Sequence, residues 1–283
     1  MSRIFWKLSV CPPLNELPAS YRYDLYDSNI CVPRAAVFPE KNERLVELPD
    51  PRAARSLGRA GLLLMAAGLP SQNVIAPFVQ EDPFSVGIYC AIEHGPNDFE
   101  SARQMIHTPP EEFAVTYKSL RSPKQYLKQL PNVPPSQLAI FLGVMGPVNV
   151  YQHSRFGCLH ALDQAEFDLN AGTVRAALVC SAFSLEDPLL SLRAWRSVPN
   201  SMVLCEGAAM MVLTPDGKYI NWRAQLPPYT DRFHGIAQDL VMLARSDNDN
   251  NDRQSELAMQ TSENNSYACE PAVAASAGKL AYR

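Results

Sequence analysis

Apolar and polar positions divide the chain into segments of different period. Arg3 to Val10 mixes aromatic and β-branched residues and stops at Cys11-Pro12-Pro13, the pattern of a first strand. From Asn15 to Leu48 the chain is polar, rich in Tyr, Pro and Asp and without a clear period, so a long surface excursion is expected. Asp50-Pro51 sets a capping residue before a proline, and a helix is expected through RAARSLGRAGLLLMAAGL, closing at Gly68 and Pro70. Ser85 to Ile92, Val174 to Phe183 and Glu206 to Leu213 are continuous apolar runs, as strands buried on both faces require. The last runs into the turn signal Thr214-Pro215-Asp216-Gly217. The proline-rich stretch from Thr108 to Pro135 leaves room only for short helices.

Ser136 to Val144 has a helical pattern and stops before Gly146-Pro147, and Val148 to Tyr151 reads as a short strand. Phe156 to Ala171 reads as a helix with Leu159, Leu162, Ala165 and Leu169 on one side, closed by Gly172. Asp231 to Arg245 fits one last amphipathic helix. From Ser246 onward the chain turns polar and poor in aromatics (SDNDNNDRQSE, TSENNS), the composition of a disordered tail. Strands alternating with helices predict a layered α/β domain over residues 1–225, a short helical extension over 226–245 and a tail over 246–283.

Composition narrows the function more than the fold. At 283 residues, 47% apolar and 19% charged, the chain can bury a sizeable core like an ordinary globular protein. A net charge of -4 argues against a nucleic-acid partner, which needs a clustered basic surface. Seven cysteines, odd in number and without CxxC spacing, fit buried thiols in a reducing compartment better than a disulfide framework. The first residues lack the apolar run of a signal peptide, and the most apolar stretch, Ala60 to Leu69, is ten residues. A membrane span needs roughly 20. A cytoplasmic protein with no membrane span is therefore expected. The sequence has no HExxH, no Cys/His cluster and no Gly-x-Ser-x-Gly elbow, so no metal, no cofactor and no serine nucleophile are expected. His94 and His107 fall in loop-like segments.

Six short features recur in order: Ser122-Pro123, Pro131-Asn132, Gly146-Pro147, the Leu159 to Leu162 segment, Ala176 to Val179 and Glu206 to Ala209. Each alone is weak. Jointly, over roughly Arg52 to Leu213, the chain resembles the β-ketoacyl synthases of the thiolase fold. The resemblance implies a thiolase-like layered α/β/α architecture, the N-terminal half only, with a mixed sheet and helices on both faces. That family places a thiolate at a helix N-terminus, where the helix dipole and free amides lower the thiol pKa and can support an oxyanion. Its cysteine lies four residues before the Leu of a Leu-x-Ala-Leu segment. Counting back from Leu159 gives Arg155, flanked by His153, Ser154 and Phe156.

The resemblance thus implies a lost nucleophile, as in chain-length factors, the inactive partners in ketosynthase heterodimers. Those carry Gln at this position, from which Arg155 departs; Gln152 would take the place only on a register shifted by three. Arg155 also fits a plain polar residue in a helix-capping loop. The competing reading makes Cys158 the nucleophile of an independent acyltransferase, with His153 or His160 as base. Within a first helical turn, however, a thiol packs as a small apolar group, and His160 would face elsewhere. Of the histidines that active members carry in their second half, only His234 has a counterpart, in a two-residue match that does not carry the role over. The 70 residues after Leu213 (283 minus 213) are too few for that half, so a shortened protein is expected.

By the same resemblance, the chain would pair with an active β-ketoacyl synthase as a heterodimer or heterotetramer, reaching acyl carrier protein through the complex. It would shape acyl-chain binding in type II polyketide elongation, polyenes included, or in fatty-acid elongation. Pairing would use Asn149 to Tyr151 and the Gln137 to Met145 helix, with Gln152 and His153 beside them. Phe141, Met145, Phe156 and Met210 would line the acyl tunnel, plain core packing being the alternative for each. A half-fold alone would leave an apolar sheet face and an edge uncovered, which proteins hide by association.

Overall fold

The computed structural model describes residues 3–14, 19–25, 28–153, 155–198, 202–219 and 231–245. Its strands are β1 (Arg3–Val10), β2 (Tyr21–Leu25), β3 (Ser28–Val32), β4 (Ala35–Ala36), β5 (Val86–Ala91), β6 (Val148–Tyr151), β7 (Ala176–Phe183), β8 (Val203–Cys205), β9 (Gly207–Leu213), β10 (Lys218–Tyr219) and β11 (Arg232–Phe233). The helices are α1 (Arg59–Gly68), α2 (Gln72–Glu81), α3 (Phe99–Ile106), α4 (Phe113–Leu120), α5 (Pro123–Gln129), α6 (Val133–Leu142), α7 (Gly157–Asn170), α8 (Pro188–Arg196) and α9 (Gln238–Arg245). A six-stranded sheet runs β10-β1-β9-β7-β5-β6. Within it β6, β5 and β7 are parallel and β9 is antiparallel to both β7 and β1, so the sheet is mixed.

The apolar runs resolve into two faces because side chains alternate along a strand. Ile88, Cys90, Leu178, Cys180, Met210 and Val212 pack against Leu62 to Met65 of α1, Ile75 of α2 and Leu138 and Leu142 of α6. Tyr89, Val179, Met211 and Leu213 pack on the other side against Ala161, Leu162 and Ala165 of α7 and Leu240, Val241 and Leu243 of α9. Strand β1 changes face midway. An irregularity between Ile4 and Trp6 puts Ile4 in one core and Trp6 against the other, the effect of one extra residue in a bulge. Helices thus cover both faces of the sheet, and the apolar face expected to lie bare does not. What stays open is the edge: β6 pairs only with β5 among the described residues.

Several expectations need correction. The segment after Asn15 is not a surface excursion throughout. Strands β2 and β3 form a hairpin that buries Tyr23 and Val32, and the Tyr23 hydroxyl donates to the Leu185 carbonyl at 2.5 Å. Asp50 does cap a helical start, accepting from the Arg52 amide at 2.9 Å, but only a 3-10 turn, Pro51–Ser56, follows. Leu57 is extended, and the α-helix begins at Arg59. Gly68 and Pro70 do not stop the helical path, which continues through a 3-10 turn into α2. The resulting stretch, Arg59–Glu81, is 23 residues and is long and apolar enough to cross a membrane by length and composition, so the ten-residue reading was too short. Its buried side chains lie on the sheet, as in a core helix.

Helix α6 starts at Val133, earlier than expected, because Pro134 and Pro135 sit in the first turn, where no amide is needed. Before α9, the segment from Asp231 forms β11 and a 3-10 turn, Gly235–Ala237, instead of one continuous helix. The tail from Ser246 lies outside the described residues.

Candidate functional site

Strand β6 ends at Tyr151 and α7 begins at Gly157, so residues 152–156 form the corner where the nucleophile was expected. His153 organises it. Its carbonyl accepts from the Phe156 amide at 3.2 Å and the Gly157 amide at 2.6 Å, and its Nδ1 lies 3.3 Å from the amides of Arg155 and Phe156. Those contacts place the lone pair on Nδ1 and the ring proton on Nε2. Ring centroids of His153 and Phe156 are 5.1 Å apart, Phe156 and His160 6.3 Å, His153 and His160 6.3 Å, and Tyr151 and His160 6.4 Å. The Arg155 guanidinium lies over the Phe156 ring, 5.3 Å from its centroid, a cation–π contact. Gln152, His153, Arg155, Phe156 and His160 are all exposed.

Cys158 is the thiol nearest in sequence, and it faces the interior at 1% exposure. Its Sγ lies 3.0 Å from the Ile236 carbonyl, to which it donates. Burial pushes its pKa up to about 12, overriding the helix N-terminus that would otherwise favour a thiolate. At neutral pH it is a protonated, packed thiol. Neither histidine forms a dyad with it: His160 is on the exposed face of α7, and His153 turns its Nδ1 to backbone amides.

The corner brings together Tyr151, His153, Arg155, Phe156 and His160. Asn149 is half-buried on β6 and Met145 is exposed before it. Phe141 packs against the core from α6. Met210 is fully buried, its Cε only 3.1 Å from where a Cβ on Gly68 would stand, and is held away from the corner under α1. His94 bonds the Gly95 carbonyl through Nδ1 at 2.7 Å and lines a pocket with Gly58, Glu93, Lys128, Glu186 and Asp187. The carboxylates there already have partners. Glu93 pairs with Arg193, Glu186 accepts from the Arg59 amide at 2.5 Å, and Asp187 caps α8 and holds Asn97. Among the described residues no group of three or more His, Cys, Asp or Glu could hold a metal.

A polar network that the sequence did not announce sits where β8 passes into β9. Glu206, 1% exposed, accepts from Arg59 Nε at 2.7 Å and from the amides of Phe38 and Leu185 at 3.3 Å. Arg59 directs three further donors to the Phe38 and Glu40 carbonyls and to Asn42. His234 is buried beside it, its Nδ1 donating to the Glu206 carbonyl at 3.0 Å and its Nε2 3.8 Å from Cys11 Sγ. Burial pulls the His234 pKa down to about 3 and pushes the Cys11 thiol up to about 11, so both are neutral. A Cβ on Gly207 would stand 2.7 Å from His234 Nδ1. The Glu-Gly pair that helped carry the resemblance therefore has a physical meaning. The glutamate holds Arg59, and the glycine makes room for His234.

No protein-family model matches the sequence, and no curated protein matches it. Solved structures do match. The β-ketoacyl synthase of Burkholderia phymatum STM815 superposes with a TM-score of 0.52 at 17% identity, over 80% of this chain and 61% of that one. The type II polyketide ketosynthase complex AntDE:AntF gives a TM-score of 0.50 at 18% identity, over 64% and 53%. The ishigamide ketosynthase/chain length factor gives 0.46 at 17% identity, over 70% and 55%. The chain has the thiolase-type α/β/α fold of the ketosynthases. It spans between 53% and 61% of these solved chains.

Proposed function

We propose that this chain is a ketosynthase-fold partner subunit with no nucleophile of its own, a chain-length-factor-like protein that pairs with an active β-ketoacyl synthase. The observation that carries this reading is the corner itself. At the elbow position an exposed arginine rests on a phenylalanine ring, and the neighbouring thiol is buried and protonated. A ketosynthase of this fold is assembled with its acyl-carrier protein in AntDE:AntF, which makes a carrier-bound acyl chain the substrate class of the proposed complex. Arg155, Phe156 and His153 would then face the partner's acyl tunnel. The competing acyltransferase reading needs a thiolate at Cys158, and burial counts against it.

The geometry of β6 supports the pairing. The carbonyls of Pro147 and Tyr151 accept from Ile88 and Ile92 on the β5 side. With a period of two, Val148 and Val150 present their amides and carbonyls outward, an open template for another strand. Val150→Pro removes one outward donor and leaves the β5 ladder whole, as proline is tolerated on an edge. Co-expressed with an active ketosynthase of the same genome, the wild-type chain should co-elute with it and Val150→Pro should not, with the thermal midpoint of the free chain retained. A complex that forms unchanged with Val150→Pro would overturn pairing through β6.

A further inference from the structure

The connection from β5 to β6 carries an arm tied to the rest of this chain mainly near its base, where Asn97 bonds Asp187, Phe99 packs against the core and α5 lies against the Pro51–Ser56 turn. Its base is closed by the Gly95 amide donating to the Gln129 carbonyl at 3.1 Å. A Cβ on Gly95 would stand 1.7 Å from the Lys128 carbonyl oxygen, so only glycine fits this closure. Residues 96–128 thus leave and return at one point. Within them α3 and α4 are eight residues each and, with α5, contain no buried residue. Helices shorter than about 12 residues are marginal in water, and most helical stability comes from packing an apolar face. These helices have such faces. Ile106, Phe113, Val115, Tyr117 and Tyr126 are large and between 51% and 74% exposed. A capped α3, with Asp98 accepting from the Ser101 amide at 3.0 Å, does not by itself offset this.

We infer that the arm of residues 96–128 is the second half of the pairing surface and that the same ketosynthase-fold partner covers it; this rests on the pairing reading above. Two further arguments identify the occupant. A stable interface takes roughly 20 to 30 residues a side. The open edge of β6 with exposed Phe84, Ile140 and Met145 supplies only a fraction of that. The arm makes up the difference and runs directly, through α6, into the edge strand. Its second part also exposes Lys118, Arg121 and Lys124, so the covering surface should be apolar with a carboxylate rim.

The test uses the full chain carrying Val115→Glu and Tyr117→Glu, titrated against the active ketosynthase, with hydrogen exchange read over residues 99–120. Because α4 has no buried residue, the variant should keep the wild-type thermal midpoint. Affinity should fall by about tenfold or more, and the arm amides should be protected in the wild-type complex. Unchanged affinity without protection overturns the inference about the arm and leaves pairing through β6 intact. Self-association of this chain that the variant abolishes, while ketosynthase binding persists, also overturns it, by identifying a second copy as the occupant. A wild-type chain that binds no ketosynthase removes the pairing reading and this inference with it.

Discussion

Two polar regions of this molecule are built in opposite ways. Around Glu206, charges and donors are buried and each is met from within the chain: Arg59 by Glu206 and three oxygens, Glu206 by Arg59 and two amides, His234 by the Glu206 carbonyl. At the corner between β6 and α7 the polar and aromatic side chains face outward. There the His153 ring accepts from backbone amides and packs beside Phe156 and His160, and the Arg155 guanidinium lies over the Phe156 ring. Low dielectric makes the first region sensitive to any deletion, because a buried unpaired charge is costly. The second is cheap to alter for stability, so what it does should appear only when something binds. The contrast separates the part of the chain that holds the fold from the part available for a partner.

The strongest way to break that contrast is Arg59→Ala. It leaves the Glu206 carboxylate buried without its cation and frees the 38–42 segment from α1. Removing one member of a buried pair costs about 3–5 kcal/mol, so a large drop in the urea midpoint is expected. A loss near zero would mean that the network is not what holds this region.

The next effect is on acid stability. His234 is neutral in the folded chain, with its pKa near 3, and returns to about 6.5 when unfolded. Between those values the unfolded state binds the extra proton. Stability is therefore full above about pH 6.5 and falls as pH drops, by about 1.4 kcal/mol per unit at most. Glu93, Glu186 and Asp239, raised chiefly by burial, act with the opposite sign: their contribution is present at low pH and fades as pH rises through their folded values. Denaturant titrations from pH 4 to 8 should show the acid limb, and His234→Gln should flatten it. An unaltered slope in that variant would assign the acid limb to other groups.

What could be read in advance follows the same division. The strands of the central sheet were legible because burial on both faces forces uninterrupted apolar runs, as in Val174 to Phe183. The β2–β3 hairpin was not, because Tyr23 is buried by partners 162 and 168 positions away, Leu185 and Ser191. The cap at Asp50 was legible and the length of its helix was not, since Leu57 gives up helical backbone and is buried. The corner's position came from the order of six short matches. Which of its side chains face outward did not, because that depends on Ile236 receiving the Cys158 thiol across the core.

Cys158 offers an intermediate test, since it belongs to the corner in sequence and to the core in space. Cys158→Ala should cost about 1–2 kcal/mol, a small buried deletion plus one weak hydrogen bond. If the chain pairs with a ketosynthase as proposed, the condensing activity of that complex should stay within a few-fold. With iodoacetamide at pH 8, exposed Cys31 should react and Cys158 should not, which peptide mass spectrometry reads directly. A thousandfold loss of activity in an intact complex would make the thiol catalytic and erase the distinction.

Arg155→Ala is the smallest expected change in stability and the sharpest probe of the corner. The guanidinium is exposed and contributes one cation–π contact, about 0.5–1 kcal/mol at such a site. The thermal midpoint should therefore move by no more than a degree or two. If the corner faces a partner's acyl tunnel, the same substitution should still alter the chain-length distribution of the products made by the complex, at unchanged affinity for the ketosynthase. A variant that changes neither stability, affinity nor product length would return Arg155 to a plain residue of a helix-capping loop. The partner surface would then be left to β6 and the arm.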